Sequence, residues 1–581
     1  MNTRNNILAI VLIGVVIILT PFYYRLISPA SNQNTSHAVE TTIDTRSANS
    51  ETSDDIPEEV IEELDEDVLE EASKIPRTQV AVSNEIFIHV ITELYDLTLS
   101  NRSGGTFTQY NLIKYVNSYD EDGEYVEGTP VSLIKSDDID CKPCLSYYDT
   151  DDRNYQYFNS SFDSQYFDGQ RFLISPNDSL VLEFNYTDTS GVTLEKEMTF
   201  YGDSYKTLHR YRFSNPTKVY RKNIELAWVG GLLPTEKMEV ADSRNSAGII
   251  YQAGQMDDIK LSKDKTIERS LFEGNTDWIA IKNKYFIVAI LPNKSGIYGT
   301  LQANNANFAQ RKLTPIYSGS IGYSSSEEEI TSAIYLGPQD YKLLQKTGAD
   351  LEDAMNWGIK VIRPISKYII LTSLTFLHKP FNLFTVNYGI VLILFAFLVR
   401  FLTGPLTKKS YKSTKKMQAI QPKIKAVQAK LKNDPQRMNR EVMALYKKHG
   451  VNPVGGCLPM VIQMPLLFAL FVVFRNTIEF RGAEFIFWIK DLSQPDIIYH
   501  LPFTIPIYGN GVAILPLFMG ITMFFQQRLS MATMEKSQKP MMYMMTGFFF
   551  LLFNQFPSGL NLYYAVYNIL NIIQQRSIRA D

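Results

Sequence analysis

The sequence predicts a membrane protein of six transmembrane α-helices, with a large all-β domain after the first helix and a helical hairpin among the later ones. Three observations predict it. Apolar runs and polar blocks are segregated along a 581-residue chain whose averages, 45% hydrophobic and a net charge of −4, conceal them. Short alternating segments fill the middle of the chain, and thirteen lysines and arginines crowd one loop between apolar runs.

The first apolar run, Ile7 to Tyr24, follows Arg4 and is long enough for a span or a signal sequence. No small-x-small cleavage site and no nearby cysteine follow it, so residues 1–27 read as an uncleaved anchor with a cytoplasmic amino terminus. Residues 28–78 are rich in Ser, Thr, Asn and acids, the composition of a disordered linker. Eleven acids fall between Asp54 and Glu71; Ile56, Val60, Leu64 and Val68 recur there at helical spacing, leaving a transient acidic helix open beside the solvated tail.

From 79 to 350 the chain alternates in short segments such as SLVLEFNYTD and VTLEKEMTFYGD, broken by Asp, Asn, Gly and Ser turns. This pattern predicts an all-β sandwich beyond the first span. Cys141 and Cys144 in DIDCKPCLSYYD have redox-motif spacing, but no strand before the pair and no helix after it are evident, so a local disulfide is the favoured reading over a thioredoxin-like site. Cys457 is distant in sequence.

Residues 351–380 place Lys360, Arg363 and Lys367 beside Ile359, Ile362, Ile369 and Ile370, which predicts a helix lying on the membrane surface. Five spans then follow within 381–581: Tyr388 to Leu402, Leu458 to Arg475, Val512 to Gln527, Met541 to Phe556 and Leu560 to Gln574. The loop at 403–457 holds thirteen Lys or Arg against Asp434 and Glu441, which places it in the cytoplasm and both chain ends with it. Met417, Ile420, Ile424, Val427 and Leu431, then Met438, Val442 and Leu445 after the breaker NDP, predict two amphipathic helices in a hairpin. Attraction to anionic lipid and attraction to RNA phosphates remain alternatives for its charge.

Two features inside the spans are polar. Arg400 interrupts GIVLILFAFLVRFLTG; Pro405 is expected to end that helix, and snorkelling toward the surface near Lys408 is the alternative to an interior role. In the last span Asn561, Tyr564, Asn568, Asn571 and Gln575 step by three and four, forming one stripe that Gln463, Thr522 and Gln526 extend. Helix-helix hydrogen bonding explains single amides, whereas a stripe plus a cation favours a wet intramembrane cavity. The six histidines lack metal spacing, and neither a phosphate-binding GxxxxGK[ST] loop nor a nucleophile elbow is present, which argues against hydrolase and ATPase chemistry.

The strings PLTKKSYKSTKKMQAIQPKIKAVQAKL, MALYKKHGVNPVGGCLPMVIQMPLLFALF and NQFPSGLNLYYAVYNILNIIQQ resemble the YidC-type membrane protein insertase family over about 357–576. The anchor and large external domain resemble its Gram-negative bacterial branch, in which that domain is a periplasmic β-supersandwich; Gly104 and Gly105 suit the start of such a domain. The resemblance implies a bacterial inner-membrane, multi-pass protein whose five-helix core forms a groove open to cytoplasm and lipid. Within it Arg400 supplies charge, Gln463, Thr522, Gln526, Asn561, Tyr564 and Asn568 line the walls, and Pro557 with Gly559 turns the last two spans. The hairpin, with Lys415, Lys416, Lys423, Lys425, Lys430, Arg437, Arg440, Lys447 and Lys448, recruits substrate or ribosome. It implies no catalytic residue, cofactor, metal or specific nucleic-acid recognition; the partners are nascent membrane proteins, lipid, the Sec translocon and the ribosome, although the chain lacks the long basic tail some relatives use at the ribosome. A small-solute transporter or channel is the alternative, and predicts broken helices or internal repeats that the five core spans do not display. An envelope carbohydrate-binding protein is a third, for which five polar-striped spans are excessive.

Overall fold

The computed structural model describes residues 85–580 except 120–124, 136–140, 150–153, 188–192, 215–223, 237–244, 262–264, 305–314, 325–326, 381–382, 433, 452–457 and 532–538. The anchor and linker read at 1–78, and Cys457, lie outside the described residues. The chain divides into a β-rich unit ending at Ala354 and a helical unit from Met355.

In the β unit a five-stranded sheet runs in spatial order Tyr125–Lys135, Thr106–Tyr119, Tyr95–Ser100, Phe87–Ile91 and Gln170–Leu173, the last pair parallel. A 13-stranded antiparallel sheet forms the larger layer. Alternation sends one face of each strand inward; Tyr95 and Tyr110 of the small sheet stack on each other at 4.9 Å, and Phe107 of the small sheet meets Trp228 of the large one edge-on at 6.1 Å. The Tyr110 hydroxyl donates to Leu336 O at 2.9 Å, tying the small sheet to the large one. Cys141 and Cys144 are disulfide-bonded with Cα atoms 4.8 Å apart, and both are buried against Ala227. Cys144 opens the strand Cys144–Asp149, so the helix a thioredoxin-like site requires is replaced by a strand.

One strand of the large sheet, Thr193–Tyr201, buries a charge. Leu194, Lys196, Met198 and Phe200 share its inward face, and Lys196 is 1% exposed. Its Nζ donates to Ser103 O at 3.1 Å and Gly105 O at 3.5 Å and lies 5.1 Å from the Tyr211 ring centroid. Burial pulls this ammonium down to about 7. Gly105, at φ +101°, roofs the site where a Cβ would stand 2.5 Å from Met198 Sδ. Gly105→Ala should therefore destabilise the β unit by about 2 kcal/mol or more, read as a lower thermal midpoint; an unchanged midpoint would show that the turn relaxes freely.

After helix α1 (Tyr341–Thr347) the helical unit begins with a π-helical turn, Ile365–Leu371, continuing into α2 (Thr372–His378). The expected segregation of a basic from an apolar face is not what forms. Gly358, at φ +83°, starts a turn, so Ile359 and Lys360 precede the helix, and apolar groups occupy two faces. Ile362, Ile370 and Leu374 pack into the bundle, while Val361, Tyr368, Ile369 and Phe376 face outward.

Five helices occupy the expected core positions: α3 (Tyr388–Lys430), α5 (Leu458–Asn476), α6 (Ile514–Met531), α7 (Lys539–Phe553) and α8 (Ser558–Ala580), with α4 (Pro435–Lys448) between the first two. Among the described residues, only the stretch Tyr388–Met417 is both long and apolar enough to cross a bilayer by length and composition. The first core helix does not stop at Pro405; it continues through Pro405 and Pro422 to Lys430. Gly404 precedes the first proline and has no Cβ for the ring to strike, and the Thr403 and Thr407 hydroxyls donate to Val399 O at 2.8 Å and Thr403 O at 2.9 Å, bracing the turn around it. The basic hairpin is thus the far end of α3 folded against α4, where Ile420 and Ile424 meet Val442 and Leu445. Asp434 caps α4, its carboxylate accepting from Arg437 N at 3.0 Å.

Candidate functional site

The buried face of α3 reads Val391, Leu392, Phe395, Ala396 and Val399, all packed in the bundle core. Helical spacing puts Arg400 one turn beyond Ala396 on that face, and it is 8% exposed. Its guanidinium carbon lies 5.8 Å from the Tyr567 ring centroid on α8. None of its three side-chain nitrogens has a hydrogen-bond partner among the described residues. A snorkelling arginine would be exposed at its tip; this one is held inside, and the described residues set an aromatic face against its charge.

Helix α8 packs between α3 and α6. Its Tyr563 ring approaches Phe395 at 5.8 Å, Gln574 Nε2 donates to Gly404 O at 3.3 Å, and Asn568 Nδ2 donates to Thr522 Oγ1 on α6 at 3.4 Å. At about 100° per residue these contacts place Tyr563, Tyr567 and Gln574 toward α3 and Asn568 toward α6. Tyr564, Asn571 and Gln575 fall between those directions, and with Asn561 and Asn568 the whole five-residue stripe is buried.

The interior is asymmetric along its length. At the end where α3 begins, Leu392, Phe395, Leu560 and Tyr563 are packed together. Toward the basic hairpin the buried residues are Arg400, Thr407 and Ser410 on α3 and Asn568, Asn571 and Gln575 on α8. The buried contacts between α3 and α8 are therefore mainly apolar where α3 begins and more polar toward the hairpin.

The residues singled out from sequence divide accordingly. Arg400, Asn568 and Thr522 are buried in the more polar part of the bundle, and Tyr564 is buried among rings, edge-on to Phe553 at 5.8 Å and to Tyr563 at 5.1 Å. Asn561 sits apart: fully buried, it donates to Phe553 O at 3.1 Å and Phe556 O at 3.3 Å and so closes the corner between α7 and α8. Pro557 and Gly559 lie at that corner, where a Cβ on Gly559 would stand 3.1 Å from Leu492 O. Gln463 is half-buried on α5 and makes no hydrogen bond to another side chain among the described residues; Gln526 is half-buried on α6. Tyr567 and Gln574 were not legible as site residues, because an aromatic or amide one position off a stripe signals nothing until the neighbouring helix is placed. Lys415, Lys416, Lys423, Lys425, Lys430, Arg437, Arg440, Lys447 and Lys448 are all exposed on the hairpin, and Lys423 Nζ lies 3.0 Å from His449 Nε2.

Two family models match, the YidC periplasmic domain over residues 87–371 and the 60Kd inner membrane protein over residues 380–581. The chain is 36% identical over 432 residues to the membrane protein insertase YidC of Chlorobium luteolum, covering 73% of this chain and 72% of that one. It is 33% identical to that of Chloroherpeton thalassium and 34% identical to that of Chlorobaculum tepidum, each alignment covering 86% of this chain and 83% of the relative. Its β-rich unit thus corresponds to a periplasmic domain and its helical unit to an inner-membrane core, and the chain belongs to the YidC family of membrane protein insertases.

Proposed function

We propose that this chain inserts membrane proteins by admitting the polar part of an incoming segment to a chamber at Arg400 while the apolar part passes into lipid. The observation that carries the reading is the lengthwise asymmetry of the interior, polar on the hairpin side and apolar on the other. An incoming segment loses part of its hydration on entry, and buried hydroxyls, amides and one fixed cation lower that cost without letting the segment through. The Arg400 guanidinium has no carboxylate partner among the described residues, so an acidic residue on the segment meets an unneutralised charge in a medium of reduced dielectric. No covalent bond is made or broken, and no cofactor is required.

The excess of thirteen basic over two acidic residues between Thr403 and Cys457 supports a cytoplasmic hairpin, hence six spans with both termini in the cytoplasm and the β domain in the periplasm. In that orientation the chamber opens toward the compartment where nascent chains arise. The exposed lysines and arginines of the hairpin suit first contact with an acidic segment, a ribosome or anionic lipid, and insertion proceeds alone or beside the Sec translocon. Outward-facing Phe518, Ile521 and Phe525 on α6 suit the lipid boundary across which an apolar segment leaves.

The test is protease protection of a single-span substrate added to liposomes. With the purified chain, protection should rise well above that with empty liposomes and should require the substrate's apolar segment. Equal protection in both would overturn stand-alone insertion for that substrate.

A further inference from the structure

The segment between α5 and α6 contains a two-stranded hairpin, Ile497–Ile505 paired with Gly509–Ala513. From 497 to 513 its sequence, IIYHLPFTIPIYGNGVA, contains no Asp, Glu, Lys or Arg. Ile498, Tyr499, Phe503 and Ile507 are exposed, with Phe503 at 60%. In the stretch just before it Phe487 is 85% exposed, beside Ile486 and Trp488. A two-stranded hairpin with an uncovered apolar surface is marginal in water.

This one is nevertheless pinned in place. Asn554, 2% exposed beyond the end of α7, donates through Nδ2 to Tyr508 O at 2.9 Å and Gly511 O at 2.6 Å and accepts from Ala513 N at 3.2 Å. Gln555 Nε2 donates to Ile507 O at 2.9 Å, and Asp496 accepts from Leu515 N at 2.8 Å and from Trp488 Nε1 at 3.0 Å, fastening the hairpin base to the start of α6. The pins also fix depth. The Tyr508 ring at the tip lies 5.9 Å from that of Phe550, tilted by 37° and a turn inside the end of α7, so the tip lies back beside the helix rather than standing off it. The hairpin leads directly into α6, whose Leu517, Phe518 and Ile521 face outward, making one continuous uncharged surface. Pro502 and Pro506 blunt strand addition, which disfavours pairing with a second copy or an extended peptide.

We infer that this hairpin is an interfacial anchor, lying in the headgroup boundary of the bilayer at the bundle end opposite the basic hairpin, with phospholipid as its partner. Aromatic and β-branched side chains without charge suit that layer, where Tyr keeps its hydroxyl toward water and Phe enters the acyl region. The inference stands whether or not the Arg400 chamber works as proposed.

The test places a spin label at Phe503→Cys, and separately at Tyr499→Cys, in the full chain carrying Cys457→Ser and reconstituted in phosphatidylethanolamine–phosphatidylglycerol vesicles. Labels at Ile521→Cys and Lys490→Cys serve as lipid-facing and water-facing references. At 503 and 499, collisions with dissolved oxygen should exceed those with a water-soluble nickel chelate, as at 521. Nickel collisions dominating, as at 490, would overturn the inference by placing the hairpin in water. Shielding from both reagents would overturn it by showing that protein covers the surface. The chain without labels gives an independent reading: lipids brominated near the headgroup should quench its fluorescence, and Trp488→Phe should remove much of that quenching, whereas undiminished quenching would count against the anchor.

Discussion

Replacing Arg400 by alanine should reduce insertion of a substrate with an acidic translocated tail by about tenfold to a hundredfold, the equivalent of one charged hydrogen bond at roughly 1.5–3 kcal/mol. Arg400→Lys should retain part of the activity, because the cation is kept and the planar fork is lost. The same alanine variant should be no less stable than the native protein in detergent. Arg400 is buried with no ion-pair partner among the described residues, so its removal relieves a desolvation penalty and gives up only the contact with the Tyr567 ring. A packing residue would behave in the opposite way, with stability falling first and activity following. The decisive comparison is a substrate whose tail acids are changed to amides. Its insertion should be insensitive to the alanine substitution, and equal losses for both substrates would leave Arg400 a general source of hydration rather than a counter-charge.

The second large effect belongs to the β unit and depends on pH. Lys196 has an ordinary value of 10.5 and is pulled to about 7 in the folded state by burial. Between those values the unfolded chain holds a proton that the folded chain has released, so stability rises with pH by about 1.4 kcal/mol per unit. The contribution is fully present above 10.5, is lost as pH falls toward 7, and is level below that; over the whole window it is at most roughly 5 kcal/mol. Lys282, pulled by burial to about 8, adds a similar slope only above that value. His209, held low by burial and by Lys196, acts only below its ordinary 6.5. Buried Tyr95 and Tyr211, both pushed up, reverse the trend above pH 10. The interval from pH 7 to 8 thus isolates Lys196. Denaturant unfolding of the full chain, followed by tryptophan fluorescence, should show a rising midpoint across that interval, and Lys196→Met should abolish the rise. A slope that survives the substitution would place the responsible proton elsewhere.

Much of this was legible before any coordinates. The stripe from Asn561 to Gln575 follows from helical spacing alone, whereas the burial of its five members depends on the neighbouring helices. Lys196 shares the period-two alternation of Leu194, Met198 and Phe200 in TLEKEMTFY, a signal outweighed by the ordinary reading of lysine in a strand as solvent-facing. Three features were not legible. Pro405 is a helix breaker by intrinsic preference, and what overrides it is the preceding glycine together with threonine hydroxyls two residues either way. Asn561 belongs to the polar stripe by spacing but to the α7–α8 corner by contact, a distinction that exists only once the turn is closed. The hairpin at 497–513 was passed over because its β-branched residues sit between apolar spans, where hydrophobicity reads as membrane; the turn signal GNG was present in the sequence and would have marked it.

The continuity of α3 has a mechanical consequence. At 1.5 Å per residue its 43 residues extend about 65 Å, roughly twice the thickness of a hydrocarbon layer. Arg400 and the packed pair Ile420 and Ile424 therefore ride on one rod, with Pro405 and Pro422 as its compliant points. A load that tilts the hairpin by about 5° about a pivot near Arg400 displaces Ile424, some 36 Å away, by about 3 Å. Under the proposed function, docking at the hairpin and occupancy beside Arg400 load two parts of one helix, and the stiffness of the glycine–proline joint at 404–405 sets how strongly they couple.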